Sequence, residues 1–324
     1  VKKTLVWHQG ALGDLILSLP AIHTIKGGAG TDYLHLISRT DLKELLLSNK
    51  IIDEASSTDS GIFAPLFGNG QLPRTLTDLL KEYGSAFIFA RSPDPFFLRR
   101  IAECIPRTFY VRTIAPAGRI VHVSDFQISE VLSAGVASAV PMPVLDTSPR
   151  TAPELPRRTF AFHPGSGGRG KCWPLESFLH LISVLSESHC HGVRILLGPA
   201  EGEEVFRSVV EGMDKRGLTG EIAKDRPLSY VASMLKSSAL YVGNDSGITH
   251  LASVLGVPTI ALFGPTDHRL WQPTGKETRV VRSGFPCSPC DEVGYRGCGR
   301  RKCLETIAVG SVMEKICELM RDCS

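Results

Sequence analysis

The chain has 324 residues, 43% hydrophobic and 21% charged, with a formal net charge of +3. That length suits two domains, each able to bury a core, and the composition is globular rather than disordered. The charge is too small to argue for nucleic acid, though it is compatible with anionic small molecules or with loose contact at an anionic membrane face.

At the N-terminus Lys2-Lys3 ahead of apolar residues imitates a secretory signal, but His8, Gln9 and Asp14 interrupt the apolar core such a signal needs. No run of about 18 apolar residues exists, so no transmembrane span is expected. The nine cysteines then read as cytosolic thiols, and the expected location is cytoplasmic. Thr4–Trp7 is a predicted strand, His8–Gly13 a glycine-punctuated loop, and Asp14–Lys26 a helical pattern kinked or broken at Pro20. Further strands are expected at Asp32–Ser38 and Ala86–Ala90. Helices are expected at Asp41–Ser48, at Arg74–Tyr83 and from Ser124 to Ala137. Pro141 to Pro156 holds five prolines with little periodicity and reads as a linker.

A second alternating series follows. It comprises strand Thr159–His163, helix Leu175–Ser188, strand Val193–Leu197, and helices Gly202–Met213 and Ser229–Lys236. A β-loop-α-β unit closes it: Ala239–Val242, Asn244–Gly247, Ile248–Leu255 and Val257–Phe263. A last helix falls at Ser311–Asp322. Alternating β and α in two blocks predicts an α/β protein of two doubly wound Rossmann-like domains facing across a cleft. The expected limits are 1–145 for the first domain, 146–158 for the linker and 159–324 for the second.

Ligands of such folds sit at the carboxyl ends of strands, where a helix N-terminus offers unpaired N–H groups. Four loops lie there. In "HQGALGDLILSLP" Asp14 falls near the start of a helix, where it is either a cap or a reactive acid. In "HPGSGGRGKCWPLESF" Gly165, Gly167 and Gly170 spell a dinucleotide fingerprint, yet Pro174 starts the helix too late for the pyrophosphate to meet it. Glu187, where the ribose acid should end a strand, lies in a helix. What remains is an amide-rich loop with Lys171, suited to phosphate without specifying a nicotinamide cofactor. "LLGPAEGEE" offers Glu203 and Glu204, as ribose ligands or as favourable first-turn charges. "GNDSGITHLASVLGVPTIALFGPTD" sets Asp245, Ser246, Gly247 and His250 where a strand becomes a helix. Capping by Asp245 and core packing of His250 would account for that stretch by itself.

Taken in order, "GALGDLILSLPAI", the Lys171 loop, the Asp245 corner and the cysteine-rich "CSPCDEVGYRGCGRRKC" resemble the lipopolysaccharide heptosyltransferase type of glycosyltransferase (family 9, GT-B fold). "LLLSNKIIDEA" also resembles a first-domain segment, with Lys50 in place of the usual proline. The resemblance implies inverting, metal-independent transfer of a sugar, usually from ADP-heptose, to a lipopolysaccharide core, with no cofactor. It implies Asp14 as general base, Ser166, Gly167 and Lys171 as donor phosphate binders, and Glu203 as ribose acid. Asp245, Ser246, Gly247 and His250 would form the corner at the diphosphate, Asp245 as a buried cap or a partner of His250. Peripheral contact with the inner membrane would fit such an acceptor. The chain departs from the pattern at His8-Gln9, where members often carry a basic residue, and at "RSPDPFFLRRIAECIP". Both lie on the acceptor side.

Three other functions are weighed. A sugar-nucleotide epimerase would need more acid/base groups than Asp14. A silent sugar-nucleotide or lipopolysaccharide-binding protein would tolerate its loss, and a nicotinamide oxidoreductase is opposed by the late helix start. Cys287, Cys290, Cys298 and Cys303 could enclose a structural zinc, but packed thiols in a loop after the last strand are the simpler reading, and no metal is assigned.

Overall fold

A computed structural model describes residues 2–28, 30–92, 94–147, 159–188, 192–290, 298 and 301–322. The chain divides into two compact units, Val1–Pro143 and Val144–Ser324. Leu145 belongs with the second because its side chain is buried and its N–H bonds the Val254 carbonyl. Most of the expected linker lies outside the described residues.

In the first unit the strands are β1 (Lys3–His8), β2 (Tyr33–Ser38), β3 (Glu54–Ser57), β4 (Ser85–Ala90) and β5 (Thr108–Arg112). The helices are α1 (Leu12–Gly28), α2 (Lys43–Ser48), α3 (Arg74–Lys81), α4 (Pro95–Cys104) and α5 (Val123–Ser133). The sheet is parallel throughout, in the order β3-β2-β1-β4-β5. Parallel strands covered on both faces read as apolar runs, and Leu5, Val6 and Trp7 of β1 are fully buried. The core beside β1 gathers Trp7, Phe63, Leu80, Ile88 and Phe97.

α1 runs unbroken through Pro20, so the expected break is not realised. Proline inside a helix costs about 3 kcal/mol. Here nine buried residues from Leu15 to Ile25 outweigh that cost, and Ser124 Oγ of α5 donates to the Leu17 carbonyl at 2.7 Å.

The second unit contains β6 (Thr159–His163), α6 (Leu175–Ser188), β7 (Gly192–Leu197), α7 (Gly202–Asp214), β8 (Glu221–Lys224) and α8 (Leu228–Lys236). These are followed by β9 (Leu240–Asn244), α9 (Gly247–Val254), β10 (Thr259–Phe263), α10 (His268–Trp271), β11 (Thr278–Arg282), α11 (Lys302–Glu305) and α12 (Val309–Asp322). The six strands are parallel, in the order β11-β10-β9-β6-β7-β8. Renumbered within the unit this is the doubly wound 3-2-1-4-5-6 order, whose direction reverses between β6 and β9. Ligands bind outside the carboxyl ends of the strands at such a reversal, because the loops there diverge to opposite faces and leave a crevice. The loops after β6 and β9 carry Ser166, Lys171 and Asp245, and His250 follows in α9. Among the described residues no helix is long and apolar enough to cross a membrane.

Candidate functional site

In the second unit Asn244, the last residue of β9, ties the two loops together. Its Nδ2 donates to the carbonyls of Pro164 (2.8 Å) and Gly165 (3.1 Å), and its Oδ1 accepts from the Trp173 N–H at 2.8 Å. Trp173 is itself buried, with its indole N–H bonded to the Ile307 carbonyl at 3.0 Å. Ser166 Oγ donates to the Asp245 carbonyl at 2.7 Å. Both ends of the phosphate-type loop are thus pinned. Its middle rises to the surface at exposed Gly167, where an added Cβ would meet nothing within 4 Å.

Ser246, and not Asp245, caps α9. Its backbone is extended and its hydroxyl accepts from the Thr249 N–H. Thr249 in turn bonds the Asn244 carbonyl and the Tyr241 hydroxyl. Asp245 is freed from capping and serves as a buried anion. Its Oδ2 accepts from Lys171 Nζ at 2.9 Å and from Thr266 Oγ1 at 2.7 Å, while Oδ1 lies 3.8 Å from His250 Nε2. Burial pushes this carboxyl up, but the neighbouring His250 ring, the Lys171 ammonium and the Thr266 hydroxyl together hold it well below the usual carboxylate range. His250 is buried, and its Nδ1 has no partner among the described residues. A buried ring nitrogen in that condition calls for a ligand or a water.

The acid of the third loop divides differently from the expectation. Glu203 lies in the first turn of α7, exposed, and pairs with Lys224. Glu201, two residues earlier, is 7% exposed and accepts from the Gly198 N–H at 2.6 Å. A Cβ on Gly165 would fall 1.8 Å from Glu201 Oε1, so the carboxylate presses on the phosphate-type loop. Glu201, Asn244 and Thr266 are the polar residues of this site that sequence reasoning missed. The signal for Glu201 was its place in the loop between β7 and α7, one residue ahead of Gly202, which adopts a φ of +65°.

In the first unit Asp14 is the third residue of α1, and its Oδ2 accepts from the Ala11 N–H at 3.1 Å. That reciprocal bond is half of a capping box. His8, at the end of β1, is fully buried, and burial pushes its pKa down to about 4, so it is neutral at physiological pH. Nδ1 accepts from the Gly10 N–H at 3.2 Å, which leaves the proton on Nε2 to reach Ser18 Oγ at 3.1 Å. Ser18 Oγ then donates to the Asp14 carbonyl at 2.8 Å. Gly10 has no room for a side chain, since a Cβ would lie 2.7 Å from both Asp14 Cβ and His8 Cε1. This loop is built to hold Asp14 in one place.

The four cysteines singled out by spacing do converge. Cys287, Cys290, Cys298 and Cys303 line one cavity together with Gly170, the residue before Lys171. The described cysteines form no disulfide.

The profile of glycosyltransferase family 9 (heptosyltransferase) matches residues 123–296, over half of the chain. Lipopolysaccharide heptosyltransferase 1 of Escherichia coli K12 is 34% identical over 115 residues, 35% of this chain and 34% of that one. Such matches span about a third of the length of the curated relatives. Among solved structures, a family 9 glycosyltransferase of Veillonella parvula is similar with a TM-score of 0.75 at 19% identity, covering 99% of this chain and 98% of that one. E. coli ADP-heptose lipopolysaccharide heptosyltransferase II is similar with a TM-score of 0.75 at 18% identity, covering 99% of both. The fold class is therefore the two-domain α/β GT-B fold that the motifs led us to expect. The chain belongs to glycosyltransferase family 9.

Proposed function

We propose that this protein is an inverting glycosyltransferase that moves heptose from ADP-heptose to a lipopolysaccharide core acceptor, with Asp14 as general base. One observation carries the reading: the capped N-terminus of α9, the pinned amide-rich loop and Lys171 meet at the strand-order reversal of the second unit. That is a place for a diphosphate. The donor is carried over from relatives such as the E. coli enzyme described as an ADP-heptose heptosyltransferase.

Departure of a nucleoside diphosphate puts negative charge on the leaving phosphate. Fixed N–H groups, the helix end and an ammonium stabilise that charge more in the transition state than before it. Asp245 orients the Lys171 ammonium and does not touch the phosphate. An ammonium has three donors, so pairing with Asp245 does not by itself exhaust it. His250 Nδ1 is offered as a further contact to the diphosphate, and Glu201 or Glu203 as the acid for the ribose. Asp14 would take the acceptor hydroxyl proton as the new bond forms on the face opposite the leaving group. Catalysis through the amides and Lys171 needs no divalent metal at the phosphate.

Incubation of the purified protein with ADP-heptose and a heptose-less lipopolysaccharide core tests this. Release of ADP coupled to a heptose-bearing product is expected. ADP-heptose left intact with that acceptor, while another nucleotide-sugar is consumed, would contradict the donor. No transfer from any donor would contradict the activity.

A further inference from the structure

His8 and Ser18 form a polar pair where the sequence is otherwise apolar. His8 ends β1 behind Leu5, Val6 and Trp7, Ser18 stands among Leu15, Ile16, Leu17 and Leu19 in α1, and both are fully buried. Stability does not account for them. A buried hydrogen-bonded pair contributes little net, and apolar groups of the same shape serve about as well. What this pair does is tie the loop after β1 to α1. The imidazole lies beside the Phe89 ring of β4, with ring centroids 5.9 Å apart. From there Nδ1 accepts the Gly10 N–H, and the Nε2–H reaches Ser18 Oγ, which in turn donates to the Asp14 carbonyl. Gly10 is wedged between the imidazole and Asp14. A Cβ on it would stand 2.7 Å from His8 Cε1, 2.7 Å from Asp14 Cβ and 3.2 Å from Asp14 Oδ2.

We propose that His8 is a positioning residue for the transfer, a strut that sets where the Asp14 carboxylate meets the acceptor hydroxyl; the inference rests on Asp14 being the base. The carboxylate is located at three points: its backbone through Ser18, its Cβ through Gly10, and Oδ2 through the Ala11 N–H. His8 holds the first two. Among the described residues Oδ1 makes no hydrogen bond, which leaves it to take the acceptor proton. A cation in place of His8 would compete with the acceptor for the carboxylate, whereas a neutral imidazole fixes it without occupying it. Proton transfer needs the two heavy atoms about 2.6–3.2 Å apart, and a misplacement of about 1 Å costs about 10²-fold in rate. The strut therefore acts on the chemical step and not on the donor, whose candidate site lies in the second unit.

Steady-state kinetics of the full chain with ADP-heptose and the heptose-less lipopolysaccharide core tests this. His8→Phe keeps a buried ring and removes both nitrogens. It should lower kcat by about 10- to 100-fold, while the KM for ADP-heptose and the affinity for ADP stay unchanged. Ser18→Ala should lower kcat in the same way, and it carries the test if His8→Phe does not fold. His8→Gln, whose amide still donates to Ser18, should recover part of the loss. A merely structural role predicts costs that multiply when variants are combined. In an Asp14→Asn background there is no base left to place, so His8→Phe should lower the residual rate by less than about 2-fold. Multiplying costs, or a wild-type kcat in folded His8→Phe or Ser18→Ala while Asp14→Asn is impaired, would overturn the positioning role alone. A wild-type rate in Asp14→Asn would overturn the base assignment and this proposal with it.

Discussion

Replacing Gly165 by alanine is a small change with a large expected cost. The new Cβ would stand 1.8 Å from Glu201 Oε1, 2.2 Å from Cδ and 2.7 Å from Cγ, all far inside van der Waals contact. The carboxylate must swing away, and in doing so it gives up the 2.6 Å bond from the Gly198 N–H. Loss of a charge-assisted bond costs about 1.5–3 kcal/mol, and overpacking a filled site adds about 1–3 kcal/mol. Stiffening of the unfolded chain by alanine returns only about 0.4–1 kcal/mol, so destabilisation wins, by about 3 kcal/mol. For a unit of this size that lowers its melting temperature by about 6–12 °C. Scanning calorimetry is the suitable assay, because the two units can unfold in separate transitions. The decisive arm is the double mutant. In a Glu201→Ala background the added Cβ meets no carboxylate, so Gly165→Ala should then cost under about 1 kcal/mol, a coupling of about 2 kcal/mol. Additive effects, or an unshifted Gly165→Ala transition, would refute the reasoning.

Other expectations follow from the same geometry. Lys171→Ala should weaken ADP binding by about 10- to 100-fold, the loss of one charge-assisted contact; calorimetric titration showing unchanged affinity would remove Lys171 from the site. Asp245 has a depressed folded pKa, so its stabilisation is present above the unfolded carboxylate pKa and is lost as pH falls through the folded one. The stability advantage of wild type over Asp245→Asn should accordingly hold at neutral pH and shrink below about pH 4, as read by denaturant titration. His8, with a pKa of about 4 against an unfolded value near 6.5, works the opposite way. The unfolded state takes the proton first, so wild type should lose on the order of 3 kcal/mol as pH drops from about 6.5 to about 4. His8→Gln should lack that part of the slope, and an identical slope would contradict the burial argument.

What the sequence shows plainly is what repeats. α6 spans Leu175–Ser188 as its apolar period predicts, and the buried strands β1, β4, β6 and β9 fall within a residue or two of their apolar runs. The strands missed are β3, β5, β8 and β11, which stand at or near the sheet margins. There half-exposed residues dilute the apolar signal, as in Thr108–Arg112. α4 was missed although Asp94 and Pro95 are an N-cap followed by a first-turn proline, with Asp94 Oδ1 accepting from Phe96 and Phe97. At the site, residue types that declare chemistry were readable, whereas their depth was not. Glu201 and Glu203 look alike in "GPAEGEE", and only the turn at Gly202 decides which is buried. Asn244 reads as turn chemistry, yet its partners lie 71 to 80 residues away, beyond any local pattern.

Asp14→Asn tests the central claim most directly. Asparagine keeps the side-chain oxygen that accepts from the Ala11 N–H, so the start of α1 should survive and the first unit should melt near the wild-type temperature. Only the proton acceptor is lost. General bases contribute about 10²–10⁴-fold, so heptose transfer from ADP-heptose to the lipopolysaccharide core should fall by that factor while ADP affinity, set by the second unit, stays unchanged. A folded Asp14→Asn variant that transfers heptose at the wild-type rate would contradict the account.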